Sequence, residues 1–172
     1  MPEGYAIQAI QSVLNSQQAY CKFLSANDSG ATGGHQSGIL ISKSAKNMMF
    51  SQDLKGENIL KRTVEIRWQD NSCTQSSFTY YSSKNELRIT RFGRNFSFLN
   101  PEQTGALFVF TKQDVDQYSG FFLETEEDIN QFLDAFGISP TETNRLIDAG
   151  QVQEETQERI AIQEFIAGLT VD

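Results

Sequence analysis

Arg62-Thr63-Val64-Glu65-Ile66-Arg67-Trp68-Gln69 places Val64, Ile66 and Trp68 at every second position. A two-residue period is the mark of an extended strand with one face turned to a core. Working outward, other short runs of β-forming residues recur at strand length: Ile39-Leu40-Ile41, Phe78-Thr79-Tyr80-Tyr81, Leu87 to Thr90, Gly105 to Thr111 and Tyr118 to Leu123. Met48-Met49-Phe50 is a further strand candidate. Turn-forming clusters separate them at Gln69-Asp70-Asn71-Ser72, Ser82-Ser83-Lys84-Asn85 and Asn100-Pro101. Helical spacing flanks the set. Ile7, Ile10 and Leu14, with Tyr20, Phe23 and Leu24 further on, predict a helix from Ala6 to Leu24. Ile129, Phe132, Leu133 and Phe136 form an apolar stripe that Gly137 stops. Ser139-Pro140 then opens a helix to Ala149, and a third runs from Gln151 to Ala167. The fold class is mainly β with flanking helices: six or seven short strands in a small barrel or sandwich. Residues 1–138 form that unit, and residues 139–172 an acidic helical extension or linker.

The chain has 172 residues, 38% hydrophobic and 21% charged, a globular composition able to bury a core without disulfides or metal. No apolar run is long enough for a membrane span. Met1-Pro2-Glu3-Gly4 shows no secretory signal, and Cys21 and Cys73 make no disulfide framework, so a cytoplasmic location is expected. One histidine and two scattered cysteines leave little for a zinc site, so no metal and no cofactor are expected. The net charge of −8 is unevenly spread. Residues 124–172 carry twelve acids against Arg145 and Arg159, whereas residues 1–123 carry twelve Lys and Arg against ten acids. The acidity therefore belongs to the C-terminal part, and a nucleic-acid partner is not excluded.

Two segments carry the chemistry. Residues 25–38 hold four glycines among side chains of base-edge size, Asn27, Asp28, Thr32, His35 and Gln36. No Lys-Ser/Thr and no helix follows the glycines, which rejects a P-loop and a dinucleotide fingerprint. An ordinary solvated loop has the same composition. In the second segment, Arg88 and Thr90 share a strand face, and Arg91 and Arg94 straddle Phe92-Gly93, where a turn or bulge aims them together. Arginine forks match guanine or phosphate, although charge on an exposed strand edge also serves solubility. Lys22 and the pair Lys61-Arg62 read as solvated or phosphate-steering. Catalysis is poorly supported: no serine stands in a nucleophile elbow beside the lone His35, and Asp53-Leu54-Lys55 is the nearest approach to a Mg²⁺ nuclease site.

Three blocks in order add a resemblance. Residues 22–36, from Lys22-Phe23-Leu24-Ser25 to Gly33-Gly34-His35-Gln36, then Arg88-Ile89-Thr90-Arg91-Phe92-Gly93-Arg94, then Asn100-Pro101-Glu102-Gln103-Thr104-Gly105-Ala106-Leu107, resemble the N-terminal effector-binding domain of the EcoRII restriction endonuclease family. The resemblance implies a B3-like DNA-binding pseudobarrel of about seven strands. It would grip the major groove of a CCWGG-like duplex with an N-arm, residues 22–38, and a C-arm, residues 88–98. The implied contacts are Lys22, Ser25, Asn27, Asp28, Thr32, Gly33, His35 and Gln36 in the first arm, and Arg88, Thr90, Arg91, Arg94 and Asn95 in the second. Asp28 would accept from a cytosine amino group and Lys22 would meet phosphate. The resemblance further implies double-stranded DNA as partner, a bacterial cytoplasmic setting, a non-catalytic monomeric fragment, and a separate C-terminal nuclease domain. Phe23 stands where the family pattern has a second basic residue, and Phe92 where it has tryptophan. The competing readings are a small Mg²⁺ nuclease using Asp53 and Lys55, and a protein-interaction module working through the acidic helices.

Overall fold

The structure, a computed structural model, describes residues 4–29, 38–51, 59–93, 96–148 and 162. The strands are β1 (Gln18–Phe23), β2 (Ile39–Ile41), β3 (Leu60–Trp68), β4 (Cys73–Tyr81), β5 (Glu86–Thr90), β6 (Leu107–Asp114), β7 (Gln117–Leu123) and β8 (Arg145–Leu146). They form one curled sheet in the order β2-β5-β4-β3-β7-β6-β1-β8, antiparallel except where β3 meets β7. The helices are α1 (Ala6–Leu14), α2 (Ala26–Ser29), α3 (Lys46–Met49) and α4 (Glu126–Phe136).

Side-chain alternation sorts the apolar residues into two layers. Val64, Ile66 and Trp68 of β3 point into the curl, where they meet Tyr20, Ile39, Phe78, Ile89, Phe108, Phe110, Tyr118 and Phe122. Their neighbours of opposite parity face outward: Ala19 and Cys21 of β1, Leu107 and Val109 of β6, Phe121 and Leu123 of β7. There they pack under Ile10 and Val13 of α1 and Phe132 and Phe136 of α4. Two tight turns use left-handed asparagines, Asn71 (φ 69°) between β3 and β4 and Asn85 (φ 54°) between β4 and β5. Gly137 (φ 64°) ends α4 where the apolar stripe predicted a stop.

Side chains rather than a strand ladder close the curl. The Ser42 amide, just past β2, donates to the Tyr20 hydroxyl at 3.2 Å, and that hydroxyl donates to the Asn144 side chain. At the opposite end from the two candidate arms, the Arg62 guanidinium donates to the Met49 carbonyl (2.7 Å), the Val115 carbonyl, Asp116 (2.8 Å) and the Tyr118 hydroxyl (3.2 Å). Arg62 ties the barrel floor together and is not the solvated residue that its composition suggested.

Three expectations are corrected. The helix predicted over Ala6–Leu24 stops at Leu14, and Gln18–Phe23 is a strand paired with β6 along its length and with β8 at Tyr20 and Cys21. Tyr20 and Cys21 suit either spacing, and the available partner strand decides. Met48 and Met49 lie in the short helix α3, with only Phe50 extended. After Pro140 the chain makes a single 3₁₀ turn; Asn144 (φ 66°) then redirects it, and Arg145–Leu146 joins β1. The sheet thus takes in residues beyond 138. The helix predicted over Gln151–Ala167 lies outside the described residues, apart from helical Ile162.

Cys21 sits in the outer layer, and burial pushes its thiol up to about 12, while Cys73 is exposed. Titration of the native chain with a thiol reagent at pH 8 should modify Cys73 rapidly and Cys21 only on unfolding. Rapid reaction of both in the native state would contradict this packing.

Candidate nucleic-acid interface

The roots of both arms lie at one end of the barrel because β2 pairs with β5. The register sets Ile39 opposite Ile89 and Leu40 opposite Arg88. The N-arm therefore returns to the sheet at Gly38 beside Thr90, the last residue before the C-arm leaves it. Residues 30–37, with Thr32, Gly33, His35 and Gln36, and residues 94–95 lie outside the described residues.

The N-arm leaves β1 through a capping box. The Ser25 hydroxyl accepts from the Asp28 amide and the Asp28 carboxylate accepts from the Ser25 amide, both at 3.1 Å. Asn27, between them, is exposed. Lys22 is buried, its ammonium 2.7 Å from Asp28, and it donates to the Leu40 carbonyl at 2.8 Å. Asp28 is buried too and also accepts from the Leu40 amide at 3.0 Å. The third resemblance block lies beneath this arm. Asn100 caps the turn Pro101–Gln103, and the Thr104 hydroxyl meets Ser29 of α2 at 2.5 Å. Sequence reading missed that support role, although Asn100-Pro101 carries an N-terminal capping signal.

The C-arm leaves β5 by a left-handed step. Arg91 has φ 63° and Gly93 φ 81°. A non-glycine residue in that region costs about 1–2 kcal/mol, and here the Ser76 hydroxyl holds the Arg91 carbonyl at 2.9 Å. Phe92 and Phe96, on either side of residues 93–95, both contact Trp68, with ring centroids 5.8 and 4.8 Å away. Arg91 is exposed and makes no ion pair among the described residues. It borders a cavity of about 570 Å³ between the C-arm root and the β3–β4 turn. Arg88 lies against Glu86 at 3.1 Å, and Thr90 is buried with its hydroxyl on the Ser77 carbonyl at 3.4 Å. The structure thus brings Lys22, Ser25, Asn27, Asp28, Arg88, Thr90 and Arg91 to one end of the barrel.

Among the described residues no cluster of three metal-ligating side chains occurs, and no helix is long and apolar enough to cross a membrane. Asp53 and Lys55 lie outside the described residues.

A family model described as restriction endonuclease EcoRII, N-terminal, matches residues 13–142, well over half of the chain. The chain belongs to this EcoRII N-terminal family. The match runs from the end of α1 through the 3₁₀ turn at Pro140, and so takes in both arm roots. The type II restriction enzyme EcoRII of Escherichia coli is 35% identical over 99 residues, which are 51% of this chain and 24% of that enzyme. The chain thus spans about a quarter of the length of that relative. A solved structure of the UbaLAI restriction endonuclease B3 domain with cognate DNA superposes with a TM-score of 0.54. It is 19% identical, and the match covers 83% of this chain and 94% of that domain. At that identity the likeness is one of fold, and the EcoRII N-terminal domain here is a B3-type curled barrel.

Proposed function

We propose that this EcoRII N-terminal domain is the sequence-specific DNA-recognition part of a type II restriction enzyme. It reads a CCWGG-like duplex in the major groove through the N-arm and the C-arm. The observation that carries the reading is the β2–β5 register, which sets both arm roots side by side at one end of the barrel. Asn27, Thr32, His35, Gln36, Arg91, Arg94 and Asn95 are the proposed contacts to base edges and backbone. Membership in a restriction-endonuclease family and the fold shared with a B3 domain solved on its cognate DNA support it. The domain works without metal or cofactor, in a bacterial cytoplasm, as a monomeric unit that leaves cleavage to a nuclease domain elsewhere in the enzyme.

The test is fluorescence anisotropy of the chain with a CCWGG duplex and a shuffled one at near-physiological salt. Specific domains separate such a pair by about a thousandfold or more. Equal affinity would discard the target sequence. No affinity even at low salt would discard DNA reading and turn attention to a basic protein partner. Arg94→Ala should cost about 1–3 kcal/mol on the cognate duplex and relax preference at one base pair. Unchanged binding would remove Arg94 from the reading set.

A further inference from the structure

We propose that the buried Lys22–Asp28 pair is a positioning element, which clamps the outgoing and returning ends of the N-arm and sets that arm against the C-arm without touching DNA. The inference rests on the DNA-reading function proposed above.

The Asp28 carboxylate gathers donors from three parts of the chain: the Ser25 amide where the arm leaves (3.1 Å), the Leu40 amide where it returns (3.0 Å), and the Lys22 ammonium at the end of β1 (2.7 Å). Lys22 in turn holds the Leu40 carbonyl at 2.8 Å. Leu40 lies in β2, an edge strand with β5 on one side only. Edge strands present unpaired amide and carbonyl groups. Here the ion pair satisfies both groups of Leu40, in the place where another strand would. Leu40 also stands opposite Arg88, two residues before the last residue of β5. A shift of β2 at this edge therefore moves the N-arm relative to the start of the C-arm.

The side chains are 10% and 2% exposed, so both charges are removed from water and matched to each other. An ammonium already held this way releases no counterion from a DNA phosphate. A carboxylate carrying three donors is likewise a poor acceptor for a cytosine amino group. The clamp thus gives the pair one internal role in place of the two DNA contacts that the resemblance implies.

The double variant Lys22→Met/Asp28→Asn tests the clamp, because it removes both charges together and leaves no uncompensated one buried. Three quantities are read: discrimination between the CCWGG and shuffled duplexes, the slope of log affinity against log salt, and amide exchange at Ser25 and Leu40. The clamp predicts discrimination reduced at least about tenfold, an unchanged slope, and exchange at the two amides faster by about tenfold or more. A slope smaller by about one identifies Lys22 as a phosphate contact and overturns the proposal. Unchanged exchange at both amides overturns it whether or not the chain binds DNA. Failure of the unmodified chain to discriminate would instead sink the reading function, with exchange still reporting on the clamp. Should circular dichroism show the double variant unfolded, Asp28→Glu, which keeps the buried charges paired but shifts the carboxylate, is read in the same way. Loss of preference at one base pair only, with slow exchange retained, would then make Asp28 a base reader.

Discussion

Gly38→Val is expected to lower unfolding free energy by about 3–5 kcal/mol and to abolish discrimination between cognate and shuffled duplexes. Gly38 has φ +101°, a conformation that side chains with a Cβ rarely adopt. An added Cβ would lie 1.8 Å from the Ile89 carbonyl oxygen, 2.8 Å from its carbon and 3.1 Å from the Thr90 Cα. All three are backbone atoms of β5, so no rotamer change relieves the clash. The relief available is separation of β2 from β5, and that register is what brings the two arm roots together. Separation would also draw Leu40 away from Lys22 and Asp28. Gly93→Ala is the matched control. Its φ is +81°, yet among the described residues nothing lies within 4 Å of the added Cβ, so the penalty is that of the left-handed conformation, about 1–2 kcal/mol. Urea unfolding of the two variants gives the comparison. A Gly38→Val chain as stable as Gly93→Ala would show that β2 is not held where this structure has it.

The strands of the barrel were legible because alternation is local: Val64, Ile66 and Trp68 announce their face without reference to any partner. The helix α4 was legible for the same reason, with its stripe and the stop at Gly137 all within one element. β1 was not. Tyr20, Phe23 and Leu24 fit a helical stripe as well as a strand, and pairing with β6, far along the chain, settles the choice. Ser139-Pro140 correctly signalled a helical start, but nothing local signals that Asn144 will turn the chain toward β1 after one turn. The arms divide similarly. Polar, glycine-rich composition and clustered arginines mark where they leave the barrel. The duties of Lys22, Asp28 and Arg88 depend on Leu40 and Glu86 being beside them, and of these neighbours only Glu86 is near in sequence. The Ser25-x-x-Asp28 capping box was the one local clue that Asp28 faces inward.

Trp68→Ala is expected to cost about 3–5 kcal/mol, the range for removing a buried tryptophan, and to loosen the C-arm more than the rest of the barrel. The indole is 2% exposed and stacks on Phe122 at 5.4 Å, with Phe96 at 4.8 Å, Phe92 at 5.8 Å and Phe108 at 6.4 Å. Gly120 leaves room for it, since a Cβ there would lie 2.3 Å from the ring. Two of these partners, Phe92 and Phe96, belong to the C-arm, so the same ring serves both barrel core and arm. A polar thread runs in parallel. The indole N–H donates to the Thr74 hydroxyl (3.0 Å), which meets the Ser76 hydroxyl (2.8 Å), and Ser76 donates to the Arg91 carbonyl (2.9 Å). Trp68→Phe separates the two contributions. It keeps an aromatic body but leaves the Thr74 hydroxyl without its indole donor, for about 1–2 kcal/mol. Discrimination between duplexes should nevertheless fall, because the left-handed step at Arg91 loses part of what holds it. If Trp68→Phe discriminated as well as the unmodified chain, the polar thread would be a stability feature alone. If Trp68→Ala cost under about 1 kcal/mol, the ring would not be the shared anchor at all. Trp68 is the one tryptophan in the chain, so its native fluorescence reports on the C-arm root directly. Cognate DNA that engages this arm should shift the emission, and a shuffled duplex held through backbone phosphates should shift it less.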